Sequence, residues 1–328
     1  MSNVTYYGPF KEHIKNYIEL KLSIGNKYIT EQGQLKRFDL FTFEKYKFAT
    51  ALTKEIVLLW CCKQPYETQS NRNKRTSIIR QLSIYLNNIG VEAYIMPQGH
   101  YPKSIKYMPY IFTDEELKKF FIETEKCHYC AEFPLRQKIM PVFFRMLYSC
   151  GLRVLEARLL KVCDVDLVNG ILTINQAKKD NNRLVPMSNS VIKRCVEYST
   201  VVHQYSSSEA YYFPALGGKP MNRGNVYTNF RKFLWSAGIS HRGKGFGPRV
   251  HDFRHTFCVH CLKKWSQQGK DLMVYLPILR TYLGHSSFKE TAYYLRLTAD
   301  VFPDIILKLE NFYPDLIPEL EGCTNEAN

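Results

Sequence analysis

The stretch from Val250 to Leu295 concentrates residue types that can act on a phosphate ester. They are His251, Arg254, His285 and Tyr294. His251 and Arg254 are three residues apart, so on a helix they share one face. Arginine and imidazole groups can bind a phosphate, and nearby cations or a base can turn a tyrosine phenol into a nucleophile. The stretch therefore predicts covalent breakage of a nucleic acid strand.

Two cations elsewhere in the chain are candidates for the same site. Arg153 follows Gly151 near the start of a predicted helix, where its planar fork of donors suits two phosphate oxygens. The alternative for Arg153 is a surface ion pair with Glu156. Lys178 lies at the end of a predicted strand and could reach into a groove and lend a proton, although a lysine on an ordinary turn is simply solvated.

The neighbours of these residues receive other assignments. Tyr293 is the rival of Tyr294, but adjacent helical residues diverge by about 100°, so we expect only one of them to face the site. Asp252 and His255 are expected to point away from the phosphate, Asp252 as a helix cap and His255 as a group that supports the residues in contact with it.

The pattern of apolar residues predicts a mainly α-helical protein with a small β-hairpin (α+β), in two domains. Residues 1–96 carry three apolar stripes at helical spacing and predict a small helical bundle, in which Thr53 caps a helix. Residues 97–111 are rich in proline and lysine and predict a basic interdomain linker. Residues 112–309 predict a catalytic domain, and residues 310–328 an apolar tail that docks on its own domain or on a neighbouring protomer.

Two local patterns define the second domain. Thr113 and Glu116 have the spacing of a capping box at the start of a helix. The β-branched run 170–174, the turn 180–182 and the return 183–186 predict a β-hairpin, with mostly helices after it.

The formal net charge of +15 favours a polyanionic partner, and nucleic acid is the commonest one in a cell. The candidate phosphate contacts outside the catalytic stretch are Arg72, Lys74, Arg75, Lys103 and Lys106. A solvated polar face is the alternative for the basic residues near the third stripe.

Composition excludes several classes. A hydrophobic fraction of 45% with 23% charged residues is typical of a globular protein, and no apolar run approaches the roughly 20 residues of a membrane span. We expect the protein to be located in the bacterial cytoplasm, associated with the nucleoid, and to have no membrane partner. The pairs Cys127/Cys130 and Cys258/Cys261 have zinc-ligand spacing, but the second pair lies in an apolar helical pattern, so we predict no metal.

Five separated motifs occur in an order that resembles the tyrosine recombinase (phage integrase) family, especially integrases of transposons and integrative elements. They are GLRVLE, the hairpin lysine, HDFRH, LGHSS and TAYYL. The family's Lys-Gly pattern is here Lys178-Lys179, so either lysine could act, and the following RLVP favours Lys178.

The resemblance implies a site-specific recombinase that mobilises a transposon, phage or integrative element without cofactors. It also implies that the helical bundle of residues 1–96 is a DNA-binding (core-binding) domain. Tyr294 would form a 3′-phosphotyrosyl bond, Arg153, Arg254 and His285 would stabilise charge on the phosphate, Lys178 would act as general acid, and His251 as general base. The implied partners are double-stranded DNA recombination sites and a homotetramer on that DNA, with an excisionase or a host DNA-bending protein as optional helper. A type IB topoisomerase and a non-catalytic DNA-binding accessory protein are the alternatives.

Overall fold

The computed structural model divides the chain into two compact units, between Lys106 and Tyr107. It describes residues 5–103, 107–175, 182–243, 246–285 and 287–301. Each unit has a buried apolar cluster of its own. No helix in these described ranges has both the length and the apolar composition that crossing a membrane requires.

The first unit is a bundle of helices. They are α1 (Lys11–Ser23), α2 (Ile29–Lys45), α3 (Lys54–Cys61) and α4 (Gln69–Asn88). The three predicted stripes are confirmed as α1, α3 and α4, and Thr53 caps α3 through its side-chain oxygen. The sequence does not reveal α2, because its buried face includes Asp39 and Thr42 beside Leu35 and Phe38 and so interrupts the apolar spacing.

The second unit consists of helices around a small sheet. Its helices are α5 (Asp114–Glu125), α6 (Arg136–Ser149), α7 (Val154–Leu159), α8 (Asn189–Val202), α9 (Arg223–Ser236), α10 (Asp252–Gln267), α11 (Leu272–Leu283) and α12 (Phe288–Val301). The capping box at the start of α5 is confirmed, since Thr113 and Glu116 each accept the other's backbone N–H.

The sheet has three antiparallel strands in the order β1 (Val165–Asp166), β2 (Ile171–Ile174) and β3 (Arg183–Pro186). The register pairs Ile171 with Pro186 and Ile174 with Arg183, which confirms the predicted hairpin. The mainly helical fold with a small sheet is therefore confirmed, and β1 is an addition that two residues of sequence could not reveal.

Helix α10 is held in the second unit by aromatic packing on its inner face. Phe253 is fully buried, stacks on Phe112 with ring centroids 5.0 Å apart, and meets Phe120 edge-on at 5.1 Å. Burying a phenylalanine contributes about 2–3 kcal/mol, so rotating α10 about its axis would be costly. This packing fixes the direction in which the next residue, Arg254, is carried.

The end of the predicted linker belongs to the second unit. The hydroxyl of Tyr107 donates to the Asp252 carboxylate (2.7 Å), and Tyr107 also lies beneath the guanidinium of Arg249, 3.4 Å from its ring centroid. Tyr110 donates to Glu116 and packs edge-on against Phe112. The linker prediction therefore extends too far, because its composition does not show that these tyrosines have partners later in the chain.

The structure corrects the prediction that Arg75 contacts phosphate. Arg75 is buried, pairs with Glu67 at 2.8 Å, and donates to the backbone carbonyls of Trp60 and Cys62. The paired guanidinium holds the pKa of Glu67 below its usual value. Arg75 thus ties α4 to the end of α3 inside the bundle, and the neighbouring Lys74 is exposed.

We expect Arg75→Ala to lower the free energy of unfolding of the first unit by about 3 kcal/mol, because Glu67 and two carbonyls lose their partner. Denaturant unfolding of the full chain, followed by fluorescence and circular dichroism, measures the change. Lys74→Ala is the matched control and should stay within about 0.5 kcal/mol of wild type. Equal stabilities for the two variants would contradict the structural role of Arg75.

Candidate active site

Arg254 links two loops of the second unit. Its side chain is 1% exposed and donates from Nη1 to the carbonyl of Gly151 (2.8 Å) and from Nη2 to the carbonyl of Leu283 (2.7 Å). Gly151 joins α6 to α7 with φ +58°, and a Cβ there would lie 2.7 Å from the ring of Phe257. Glycine is therefore required where this carbonyl meets Arg254.

Arg153 caps the start of α7 and reaches across to the other loop. Its backbone N–H and its Nη1 both bind the Glu156 carboxylate (2.8 and 2.9 Å), and its Nη2 donates to the carbonyl of Gly284 (3.3 Å). About a third of its side chain is exposed. The ion pair with Glu156 that was the alternative for Arg153 is thus present, but at the wall of a cleft rather than on an open surface.

Glu156 and Arg183 form a buried ion pair next to Arg153, and neither residue was predicted from the sequence as part of the site. Arg183 binds both carboxylate oxygens of Glu156 (2.9 and 2.8 Å), and both side chains are buried. Burial by itself would raise the pKa of Glu156, but the bidentate pair with Arg183 outweighs it and lowers the pKa to about 2. The only sequence signal was the glutamate three positions after Arg153.

His285 follows the glycine that ends α11. Gly284 has φ +63°, and a Cβ there would lie 3.1 Å from the side chain of Arg183. Nδ1 of His285 is 2.9 Å from the hydroxyl of Thr291. Burial, followed by the charges of Arg254 and Arg153, lowers the pKa of His285 to about 3, so its imidazole is neutral at pH 7.

Tyr294 is buried beside the arginine and histidine side chains of the site. Its side chain is 3% exposed, and its ring lies parallel to that of His285, with centroids 5.9 Å apart and an interplanar angle of 7°. The centroid of the His255 ring lies 5.5 Å from that of Tyr294, and the two rings are tilted by 44°. Burial raises the pKa of Tyr294 well above its ordinary value, and the charge of Arg254 acts in the opposite direction.

These side chains line one cleft of about 340 Å³ in the second unit. Its lining residues are Arg153, His251, Arg254, His255, His285, Glu290, Tyr293 and Tyr294. The structure thus brings together the predicted catalytic residues that it describes. Lys178 lies outside the described residues.

Two assignments from the sequence need correction. His255 lines the cleft and contacts the rings of His251 and Tyr294 at 4.8 and 5.5 Å, so it does not point away. Tyr293 and Tyr294 both line the cleft, although Tyr293 is 41% exposed. The two rings reach the same cleft from neighbouring positions, with centroids 5.8 Å apart, Tyr294 buried and Tyr293 partly exposed to solvent.

The arrangement suits one tetrahedral anion beside a phenol. Arg153 and Arg254 converge with neutral His285 on the cleft that Tyr294 lines. Each guanidinium is held by carbonyl or carboxylate groups in the DNA-free protein, so little reorganisation is needed when a phosphate arrives.

The family model described as "Phage integrase family" matches residues 111–300 of the chain, which is more than half of it and contains the whole cleft. The chain belongs to the phage integrase family. It is a tyrosine recombinase, an enzyme of site-specific recombination, and the topoisomerase alternative is not favoured.

Relatives of this recombinase carry related names over most of its length. A protein of Sinorhizobium fredii with the provisional name integrase/recombinase y4rB is 28% identical over 93% of this chain and 98% of its own. A protein of Pseudothermotoga lettingae named tyrosine recombinase is 25% identical over 84% of this chain and 89% of its own.

Solved structures share the fold of this recombinase. The Tn1549 transposon integrase, solved with circular intermediate DNA, has a TM-score of 0.65 and 15% identity over 92% of this chain and 99% of that one. The XerH recombinase, solved in a post-cleavage complex with its palindromic difH substrate, has a TM-score of 0.61 and 16% identity over 87% of this chain and 79% of that one.

Some of the predicted DNA contacts of the first unit are exposed to solvent, and others are bound to groups of the protein itself. Lys74 and Lys103 are exposed. Arg72 is partly buried, stacks on Tyr101 at 3.5 Å, and donates to the carbonyl of Cys61 (3.0 Å). Lys106 lies outside the described residues.

The alternative zinc site is not assembled in the described ranges of the recombinase, where no cluster of three or more His, Cys, Asp or Glu side chains could hold a metal ion. Cys258 is fully buried beside Val259 and Leu262, as its apolar helical pattern predicts. Cys127 belongs to a different apolar cluster.

The buried histidines predict a loss of stability in mild acid. Burial lowers the pKa of His255 to about 3, against 6.5 in an unfolded chain. Between pH 6.5 and 4.5 the unfolded state therefore binds more protons than the folded state, and stability must fall as the pH falls. Asp252, whose pKa burial raises to about 6, titrates with the opposite sign, so a variant comparison is needed.

We expect His255→Gln to flatten the fall in the free energy of unfolding between pH 6.5 and 4.5 by roughly 1 kcal/mol per pH unit. Denaturant titrations at a series of pH values measure the slope. His128→Gln is the control, because His128 is exposed in the same unit. If His255→Gln and wild type keep the same slope, His255 is not held neutral by burial.

Proposed function

We propose that Tyr294 is the nucleophile and that it attacks the scissile phosphate of a double-stranded DNA recombination site. The phenolic oxygen forms a bond to phosphorus while the bond from phosphorus to the 5′-oxygen breaks. The products are a 3′-phosphotyrosyl linkage and a 5′-hydroxyl. The observation that carries this proposal is the stacking of Tyr294 on His285 within a cleft that Arg153 and Arg254 also line.

Arg153, Arg254 and His285 stabilise the charge that develops on the non-bridging phosphate oxygens. Donors fixed in advance of the reaction contribute on the order of 3–4 kcal/mol each to the transition state. The carbonyl partners of Arg254 and the carboxylate partner of Arg153 support this role, since they hold the guanidinium planes in place.

Proton transfer is assigned to His251 and Lys178. His251 lines the cleft, and burial together with the charge of Arg254 lowers its pKa to about 4, so it has a lone pair available at pH 7. It accepts the phenol proton from Tyr294 as general base. Lys178, assigned from its place in the sequence, gives a proton to the leaving 5′-oxygen.

Reversal of this step joins new partners. The phosphotyrosine retains the energy of the broken bond, so a 5′-hydroxyl from another strand can displace Tyr294 without ATP or a metal ion. Two rounds of exchange pass through a Holliday junction and require four protomers on two DNA sites. We assign the enzyme to the movement of a transposon, phage or integrative element in the bacterial cytoplasm, with an excisionase or host DNA-bending protein as optional helper.

Basic side chains of the first unit and the linker contribute the sequence-independent part of DNA affinity. The proposed phosphate contacts are Arg72, Lys74, Lys103 and Lys106. Contacts of this kind release counterions, so affinity should fall steeply with salt concentration.

We expect Tyr294→Phe to abolish the covalent protein–DNA adduct on a nicked suicide substrate, because the nucleophilic oxygen is removed while the ring is retained. Denaturing electrophoresis measures the adduct. Tyr293→Phe is the matched control and should still form it. An adduct that survives in Tyr294→Phe and disappears in Tyr293→Phe would move the nucleophile to the neighbouring position.

Exchanged strands in the wild-type product distinguish recombination from topoisomerase activity. Absence of any adduct would favour the accessory-protein alternative.

The tail from residue 310 onwards, which lies outside the described residues, is proposed to dock on a neighbouring protomer. It combines apolar residues such as Phe312, Leu316 and Ile317 with several acidic ones. We expect truncation before Glu310 to leave the suicide-substrate adduct intact but to reduce tetramer assembly and recombination several-fold. Native electrophoresis and an assay of recombinant product measure both. Unchanged assembly and recombination would contradict docking in trans.

A further inference from the structure

Thr291 makes a contact that the proposed chemistry has not used. Its hydroxyl is 2.9 Å from Nδ1 of His285, and the residue is fully buried. Thr291 lies on α12, three positions before Tyr294 and therefore about one turn away. The same helix thus carries the proposed nucleophile and the partner of a phosphate-binding imidazole.

The surroundings of His285 determine how many protons its ring carries. The charged and titratable groups that act on it are Arg153 from the start of α7, Arg183 from β3, Arg254 and His251 from α10, and Tyr294 from α12. Burial and the positive charges of the three arginines disfavour the imidazolium and lower the pKa of His285 to about 3. A neutral imidazole has a single N–H, on either Nδ1 or Nε2.

The position of that single proton decides whether His285 helps or hinders catalysis. With the proton on Nε2, the ring can donate to a phosphate oxygen in the cleft. With the proton on Nδ1, the lone pair of Nε2 faces the phosphate and repels it. A hydroxyl that donates to Nδ1 stabilises the first tautomer.

We infer that Thr291 is a positioning residue that donates its hydroxyl to Nδ1 of His285 and so holds the imidazole in its Nε2–H tautomer. The inference rests on the role proposed for His285 in binding phosphate. It also gives α12 two functions, because a helix that docks Tyr294 against His285 simultaneously sets the tautomer of that histidine. When α12 is docked, Tyr294 is therefore placed for attack and His285 is in the tautomer that can donate to the phosphate.

The chain offers matched variants to test this. Thr291→Val keeps the shape of the side chain and removes the hydroxyl, and Thr291→Ser keeps the hydroxyl. Thr298 is a second buried threonine on α12, and its hydroxyl donates to the carbonyl of Tyr294 (2.7 Å) rather than to His285. Thr298→Val therefore controls for the loss of a buried threonine hydroxyl from the same helix.

The first measurement is the tautomer itself, in the DNA-free full-length protein. Nitrogen-15 spectra of imidazole-labelled protein distinguish Nδ1–H from Nε2–H, and the signal of His285 is identified by its loss in His285→Gln. We expect the Nε2–H form in wild type, Thr291→Ser and Thr298→Val, and a mixture of forms in Thr291→Val. An unchanged Nε2–H spectrum in Thr291→Val, or an Nδ1–H form in wild type, would overturn the inference.

The second measurement is the single-turnover rate of adduct formation on the suicide substrate, together with DNA affinity. We expect Thr291→Val to slow cleavage about ten-fold, which corresponds to about 1.4 kcal/mol, at unchanged affinity. Thr291→Ser should restore the rate to within about two-fold, and Thr298→Val should keep it. Equal rates for Thr291→Val and wild type would overturn the inference.

The two measurements separate this inference from the function on which it rests. If wild type shows the Nε2–H tautomer and forms no adduct, the proposed function fails while the contact stands. If wild type forms the adduct and Thr291→Val changes neither tautomer nor rate, the function stands and the positioning role of Thr291 fails.

Discussion

The buried guanidinium of Arg254 is the constraint on which the rest of the site depends. A charge that is almost wholly removed from water must have partners, and the loop after α6 and the last residue of α11 each supply one backbone carbonyl. The loop after α6 also carries Arg153, and the loop that follows α11 carries His285. Satisfying one buried cation therefore brings two further groups that are proposed to bind phosphate to the same cleft, and it requires glycine where the chain passes close by.

The concentration of positive charge around Arg254 needs a counter-charge, which Glu156 provides. It lies between Arg153 and Arg183 and is ionised throughout the ordinary pH range, because the bidentate pair with Arg183 outweighs the effect of burial. Arg183 also donates to the carbonyl of Tyr282, so it anchors β3 beside the C-terminal end of α11. The same ion network thus holds β3, the strand that follows the proposed general acid Lys178 in sequence.

Burial of Tyr294, the proposed nucleophile, has a consequence for the timing of the proposed reaction. The pKa of Tyr294 is raised mainly by burial, so the phenol keeps its proton in the DNA-free protein. The histidines around it are neutral at pH 7 because burial and nearby arginines disfavour their charged forms. Attack by Tyr294 must therefore be coupled to proton transfer to a neutral base, and a premature phenolate is avoided.

Local patterns in the sequence were sufficient for much of the fold. The capping box at Thr113, the cap at Thr53 and the hairpin between 170 and 186 depend on residues close to one another in the chain, and all are present. Helix α2 was missed because its buried face includes Asp39, which accepts backbone N–H groups from Tyr7 and Gly8 far earlier in the chain. When a buried polar residue has its partners far away in the chain, the neighbouring sequence does not show that the residue is buried.

The class of chemistry was predictable from the sequence alone, because the motifs that contain Arg153, His251, Arg254, His285 and Tyr294 occur in the order typical of the phage integrase family. The folded structure was needed to show which side chains share the cleft and which stabilise the fold. Arg75 forms a buried ion pair with Glu67, the ring of His255 contacts that of Tyr294, and Arg183 pairs with Glu156. Burial and pairing of charges are set by residues distant in sequence, so spacing alone could not reveal them.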